Sequence, residues 1–184
     1  MDKIRFAVAG NGWRAMFFVR AALNLPEIFE LTGVLCRSQE KAQAFEAAHG
    51  VKAFWELDAM LDTKPDFVVS CQTKAAMPGM AMELLRRGMP VLSETPLATD
   101  LDALTQMLRV QKETGTPLEM AEQYFLYPNH QARRALIAKG ILGDLPPVLR
   151  LYRTAPSLRL LRFSGAFVNF HYFVYYISAQ GQHL

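Results

Sequence analysis

The stretch that decides the fold is "IRFAVAGNGWRAMFF", residues 4–18. A largely apolar run from Ile4 to Ala9 ends in Gly10-Asn11-Gly12, and apolar residues resume at Trp13. Two glycines one residue apart between apolar runs have two readings. One is a strand–turn–helix junction that cradles phosphate. The other is a glycine-broken hairpin. The flanks separate them. "IRFAVA" has the length and composition of a buried strand. In "WRAMFFVRAALNLP" the apolar residues Ala15, Phe18, Ala22 and Leu25 recur at three or four positions, and Pro26 closes the run. That is helical spacing.

The same rhythm continues outward. "FELTGVLCR" reads as a strand. "SQEKAQAFEAAHG" reads as a helix, with Ser38 as N-cap, Lys41 and Phe45 at helical spacing, and Gly50 as its stop. A short strand and helix follow in "VKAFWELDAMLD", then a buried strand in "PDFVVSCQ". "AAMPGMAMELLRRG" is a helix with Pro78 in its first turn. "MPVLSETPLA" is a strand ending in a loop. "TDLDALTQMLRVQKETG" is a helix capped at Thr99 or Asp100 and stopped at Gly115, and "TPLEMAEQ" is a further strand. Alternation of this kind means βαβ units, and right-handed crossovers then give a doubly wound parallel α/β sheet.

Past Gln123 the rhythm changes. "PNHQARRALIAKG" reads as a helix and "GDLPPVLRLYRT" as a turn into a strand, while "FVNFHYFVYYISAQGQHL" suits either helix or strand. The expected division is residues 1–125 and 126–184.

Composition excludes several classes. Apolar residues make up 51% and charged residues 20%, so a packed core is expected. The net charge of +3 is scattered, with Arg86-Arg87 and Arg133-Arg134 on solvated helix faces, so no nucleic-acid partner is expected. Cys36 and Cys71 stand alone in apolar runs, which implies neither a metal site nor a disulfide framework. No apolar stretch is long enough to span a membrane, and a cytoplasmic setting is the default.

Gly10-Asn11-Gly12-Trp13-Arg14-Ala15 fits the dinucleotide fingerprint G-x-G-x-x-A. The first glycine permits the tight turn and the second leaves room for a pyrophosphate. The small third residue lets the helix pack closely, and the helix N-terminus faces the phosphates. The end of the second strand, "LCRSQEK", carries no acid for a ribose 2′-hydroxyl. Arg37 and Ser38 suit a 2′-phosphate instead, so NADP(H) is favoured over NAD(H). Ser38 can also cap the next helix, and the two roles are compatible.

With these residues in view, "IRFAVAGNGWRA", "CRSQEKAQAFEAAHGV", "DFVVSCQ", "LLRRGMPVLSETPLA" and "EMAEQYFLYPNHQARRALIAKGILGDL" resemble, in order, the Gfo/Idh/MocA oxidoreductases. The resemblance implies an N-terminal Rossmann domain followed by an α/β domain with an open antiparallel sheet. It also implies NAD(P)-dependent hydride transfer to or from a sugar-, polyol- or related hydroxyl or carbonyl substrate. Association into a homo-oligomer is implied too. It assigns the cofactor to Gly10, Asn11, Gly12, Trp13, Arg14, Arg37, Ser38, Glu94, Pro96 and Gln123, and the chemistry to Glu94, Thr95 and His171.

Three departures accompany the likeness. The family's Glu-Lys-Pro becomes Glu94-Thr95-Pro96, which removes an ammonium group from beside the reacting hydroxyl. The family's Pro-Asn-x-x-His becomes Thr73-Lys74-Ala75-Ala76-Met77, and Lys74 is a loop lysine that could reach back. "SGAFVNFHYFVYYISAQG" is a worn form of the second-domain motif, with Asn169 for the usual Asp and His171 as the proton-transfer candidate. The second domain reads as truncated, and exposed aromatics at Phe167, Phe170, Tyr172, Phe173, Tyr175 and Tyr176 would need a partner. The alternative function is a catalytically weakened, nucleotide-binding sensor or regulatory partner. The methionines at 77, 80, 82 and 89 are read as core packing.

Overall fold

Buried strands need neighbours on both faces, and this chain supplies them by alternation. The computed structural model describes residues 2–122 and 127–141. The chain divides between Ala121 and Glu122. In the first unit the elements run β1 (Ile4–Ala9), α1 (Ala15–Asn24), β2 (Phe29–Leu35), α2 (Gln39–His49), β3 (Ala53–Phe54) and α3 (Leu57–Leu61). They continue with β4 (Phe67–Ser70), α4 (Met77–Arg86), β5 (Val91–Ser93), α5 (Leu101–Thr114) and β6 (Leu118–Met120). The six strands form one sheet in the order β3-β2-β1-β4-β5-β6, and every pairing is parallel. This is the doubly wound Rossmann order, as the alternation predicts.

The order assigns the helices to faces. The chain steps from β1 outward to β3, then returns past β1 to β4 and steps the other way. Right-handed crossovers therefore put α1 and α2 on one face and α3, α4 and α5 on the other. On the second face Ala7, Ala9, Val68 and Val91 pack against Met60 of α3, Ala81, Leu84 and Leu85 of α4, and Met107 and Val110 of α5. Strand alternation turns Phe6 to the first face. There its ring meets Phe29 edge-on at 6.1 Å and stacks on Phe67 at 5.7 Å. Strands β4 and β5 are buried at every residue, which is why their sequences are apolar up to a terminal serine in each.

The helix boundaries follow local chemistry. The Lys41 amide donates to Ser38 Oγ at 3.3 Å, and the Ala103 amide donates to Asp100 Oδ1 at 2.8 Å. α2 and α5 close at Gly50 and Gly115. Within α2 the residues turned inward are Ala42 and Phe45. Lys41, one turn before Phe45, stays partly in water because burying an unpaired ammonium is costly. Met77 is buried, and Met80, Met82 and Met89 pack against the α3–α4–α5 core, as their apolar character implies.

At the amino end of the sheet, the Arg5 amide donates to Asp66 Oδ2 at 2.8 Å. The Arg5 guanidinium donates to the carbonyls of Lys64 and Thr63 and pairs with Glu30 at 3.2 Å. Asp66 is thus a structural loop residue, at the end of the sheet opposite the glycine turn.

In the second unit, α6 (Pro128–Ala138) begins with its proline in the first turn, where the missing N–H costs nothing. The expected strand after Gly143, the open antiparallel sheet and the aromatic tail lie outside the described residues. Among the described residues, no helix is long and apolar enough to cross a membrane.

Candidate functional site

In a doubly wound sheet the strand order reverses between β1 and β4, and a crevice opens beyond their carboxyl ends. The chain places its glycine turn there. Gly10 has φ +118°, which side-chain-bearing residues rarely adopt. A Cβ on Gly10 would also lie 2.7 Å from the Cys71 carbonyl oxygen and 2.9 Å from its carbon. The turn is therefore pressed on the backbone that leaves β4. Backbone bonds hold the strand ends together. Gly10 N–H donates to Leu35 at 2.9 Å, Cys71 N–H to Ala9 at 2.8 Å, and Glu94 N–H to Ser70 at 3.0 Å.

Gly12 differs. It is exposed, and a Cβ there would meet nothing within 4 Å. The space above it is open to a ligand. Ala15 is fully buried, as the small third residue of the fingerprint must be for α1 to approach β1. No side chain caps the N-terminus of α1. The Met16 and Phe17 amides bond back to the Trp13 and Arg14 carbonyls at 3.3 and 3.2 Å, so what α1 offers the crevice is the positive end of its dipole, which suits phosphate.

Polar side chains gather around this turn. Arg14 Nε lies 2.8 Å from Glu94 Oε1, with the glutamate 7% exposed. The contact is a charge pairing and lacks the alignment of a hydrogen bond. The Arg14 guanidinium also sits 5.2 Å from the centre of the Phe17 ring. Trp13 projects into solvent, 75% exposed, with its ring edge-on to Phe17 at 4.9 Å. At the carboxyl end of β4 and just past it, Ser70 Oγ and Gln72 Oε1 are buried and make no hydrogen bond among the described residues. Buried polar atoms without partners are rare and mark a place for a ligand or water.

Cys71 is unsuited to nucleophilic work. Burial pushes its thiol well above the usual range, the Glu94 carboxylate adds to the effect, and Arg14 opposes it. Burial likewise raises the Cys36 thiol, with Lys41 opposing.

The expected site residues fall into groups. Gly10, Asn11, Gly12, Trp13 and Arg14 form the turn. Glu94 joins it through Arg14, and Thr95, half-buried, follows on the same loop, with exposed Pro96 behind a cis Thr95–Pro96 peptide. Arg37 and Ser38 stand at the end of β2, Arg37 exposed and Ser38 engaged as the α2 cap. Lys74 is exposed in the turn before α4. Met77, at the position of the family histidine, points into the core at 2% exposure. Gln123, Asn169 and His171 lie outside the described residues. The sequence reading missed Ser70, Gln72 and the Arg14–Glu94 pairing. The available signal was a buried strand, "FVV", running straight into Ser70-Cys71-Gln72, two of them polar.

These features fit a dinucleotide: a turn that excludes a side chain at Gly10, open space at Gly12, an uncapped helix and unpartnered buried oxygens. The comparisons agree with the geometry. The Gfo/Idh/MocA family model, an oxidoreductase family with an NAD-binding Rossmann fold, matches residues 4–122. The scyllo-inositol 2-dehydrogenase (NADP(+)) IolU of Bacillus subtilis is 32% identical over 128 residues, covering 68% of this chain and 39% of that protein. The WlbA dehydrogenase from Bordetella pertussis, solved in complex with NADH and UDP-GlcNAcA, is 28% identical with a TM-score of 0.68. That match covers 76% of this chain and 42% of that one. The 3-ketoreductase KijD10 from Actinomadura kijaniata, solved with TDP-benzene and NADP, has a TM-score of 0.67 and 24% identity, a likeness of fold, over 78% of this chain and 45% of that one. The chain spans 39–46% of the length of the curated relatives it matches.

Proposed function

The chain belongs to the Gfo/Idh/MocA oxidoreductase family, and from that membership we propose that it serves NAD(P)-dependent oxidoreduction, with NADP(H) the preferred cofactor. The substrate is a sugar- or polyol-like hydroxyl or carbonyl compound. Residues 1–125 are the dinucleotide-binding domain, and residues 126–184 begin a domain for substrate and self-association. The setting is cytoplasmic and the assembly a homo-oligomer.

The observation that carries this reading is the junction at Gly10, where positive φ, backbone contact with Cys71 and open space over Gly12 coincide. The relatives motivate the chemistry. One is named for NADP(+) and an inositol, and another was solved with NADH and a nucleotide sugar. Because both cofactors occur among them, the preference rests on this chain's own residues.

Arg37 is exposed at the end of β2 beside the α2 N-terminus. Its planar fork suits a 2′-phosphate. Ser38 Oγ accepts from the Lys41 amide, which leaves its O–H free to donate to the same phosphate. Gly10, Asn11, Gly12 and the positive end of the α1 dipole hold the pyrophosphate, while Glu94, Thr95 and Pro96 border the nicotinamide end. A bound nicotinamide would supply the hydride donor or acceptor. Thr95 can orient a substrate hydroxyl by hydrogen bonding, and His171 is assigned the proton, since imidazole titrates near neutrality.

Fluorescence titration with NADPH and NADH side by side tests the preference. The Arg37→Ala variant is expected to weaken NADPH by roughly tenfold or more while leaving NADH within about twofold, since a charge-assisted phosphate pair is lost only with NADPH. Equal loss for both cofactors would refute the 2′-phosphate role.

A second reading, a nucleotide-binding sensor or regulatory partner, is favoured by two departures from the family pattern. Thr95 is neutral where the family places lysine, and Met77 is buried where it places histidine. The Thr95→Lys variant decides it. Turnover gained from a silent parent supports the sensor, and a parent already fully active against carbonyl substrates excludes it.

A further inference from the structure

The dinucleotide turn carries a cation, Arg14, immediately before α1, and phosphate is the obvious ligand for it. The geometry directs that cation elsewhere. Arg14 Nε approaches Glu94 Oε1 to 2.8 Å, and Glu94 is 7% exposed at the first position beyond β5. The Glu94 amide is bonded to the Ser70 carbonyl, so the carboxylate is anchored to β4 as well. Cys71 lies within the fields of both charges and forms the backbone floor beneath Gly10. The Phe17 ring, one turn along α1, braces the guanidinium from another side. A single contact thus ties three strand ends together: β1 through its turn, β4 through Ser70 and Cys71, and β5 through Glu94.

We propose that Arg14 and Glu94 are positioning residues: a partly buried ionic clasp that sets the Thr95–Pro96 loop against the glycine turn and so shapes the nicotinamide end of the crevice. The clasp rests on the dinucleotide reading above. One physical argument supports it. Buried ion pairs contribute little net stability against an apolar replacement, so a role in fixing geometry is the better account of one at a ligand crevice. The clasp sits toward β5, across the switch point from the end of β2 where the adenosine half belongs. It therefore governs one half of the cofactor and leaves the other alone.

The test uses the full chain and two probes, NADPH and 2′-phospho-ADP-ribose, which lacks the nicotinamide. Titrations are run on the wild type, Glu94→Gln, Arg14→Met and the double variant Arg14→Met/Glu94→Met. Glu94→Gln keeps shape and removes charge, and the double variant replaces the pair by apolar groups of similar length, so folding can be retained in at least one. Thermal unfolding monitored by circular dichroism confirms which variants are folded. The expected result is that each single change weakens NADPH by roughly tenfold, the double variant loses less than the product of the two, and 2′-phospho-ADP-ribose stays within about twofold throughout. If Arg14 variants weaken both probes equally while Glu94→Gln binds as wild type or tighter, Arg14 is a phosphate ligand and the clasp is wrong. Independent losses that multiply in the double variant also overturn it. If the wild type binds neither dinucleotide nor its fragment, the nucleotide reading falls and takes the clasp with it.

Discussion

The two glycines of the opening turn are expected to respond in opposite ways to the same added methyl. In Gly10→Ala, the Cβ meets the Cys71 carbonyl oxygen at 2.7 Å, its carbon at 2.9 Å and the Gln72 nitrogen at 3.2 Å. All three are backbone atoms of the segment leaving β4, so no side-chain rotation relieves the overlap. The residue also has φ +118°, where holding a side chain costs on the order of 1–3 kcal/mol. Overpacking against fixed atoms adds about 1–3 kcal/mol. The sum, roughly 2–6 kcal/mol, is a large part of the ~5–15 kcal/mol that holds a domain folded. In Gly12→Ala the added Cβ touches nothing within 4 Å, and stability is expected to change by no more than about 0.5 kcal/mol. Its methyl does occupy the space left for a pyrophosphate. Urea unfolding by circular dichroism reads the first effect. With a slope of about 2 kcal/mol per molar, Gly10→Ala should lower the midpoint by roughly 1–3 M. NADPH titration reads the second, where Gly12→Ala should bind at least about tenfold more weakly while unfolding like the wild type. A Gly10→Ala variant as stable as the parent would refute the close-approach reasoning. A Gly12→Ala variant that binds normally would refute the assignment of that space to phosphate.

Two further predictions concern titrating groups. Burial holds the Cys71 thiol protonated, so it should resist iodoacetamide at pH 8 in the folded protein and react once urea unfolds the chain; equal labelling rates in the two states would contradict this. Glu119 on β6 has its carboxyl raised above the ordinary value by burial. The folded state therefore binds this proton more tightly than the unfolded one, and the associated stability is complete below the unfolded value and lost as pH rises through the folded one. The Glu119→Gln variant should be more stable than the parent at neutral pH and show a flatter stability profile between acid and neutral pH, measured by urea unfolding across that range.

Much of the fold is legible in residue order because its causes are local. "IRFAVAG" followed by "WRAMFF" changes period from strand to helix within a few residues, and Ser38, Asp100, Gly50 and Gly115 mark helix ends through bonds to neighbours three or four residues away. Parallel strands joined by right-handed helical crossovers then admit few topologies, which narrows the fold to a doubly wound sheet, while the order β3-β2-β1-β4-β5-β6 is set by tertiary pairing. Helical spacing relates Phe45 to both Lys41 and Ala42; packing on the sheet turns Ala42 and Phe45 inward and leaves Lys41 partly in water, where its ammonium stays solvated.

The sequence by itself determined that a glycine-rich turn joins a buried strand to a helix at the start of a doubly wound sheet, since strand, turn and helix are set by neighbours in the chain. The tertiary structure decided what that turn touches. Gly10 must be bare because of Cys71, 61 residues later, and Arg14 is paired with Glu94, 80 residues later. Such contacts depend on which strand ends lie side by side, and the spacing of residues along the chain carries no record of that.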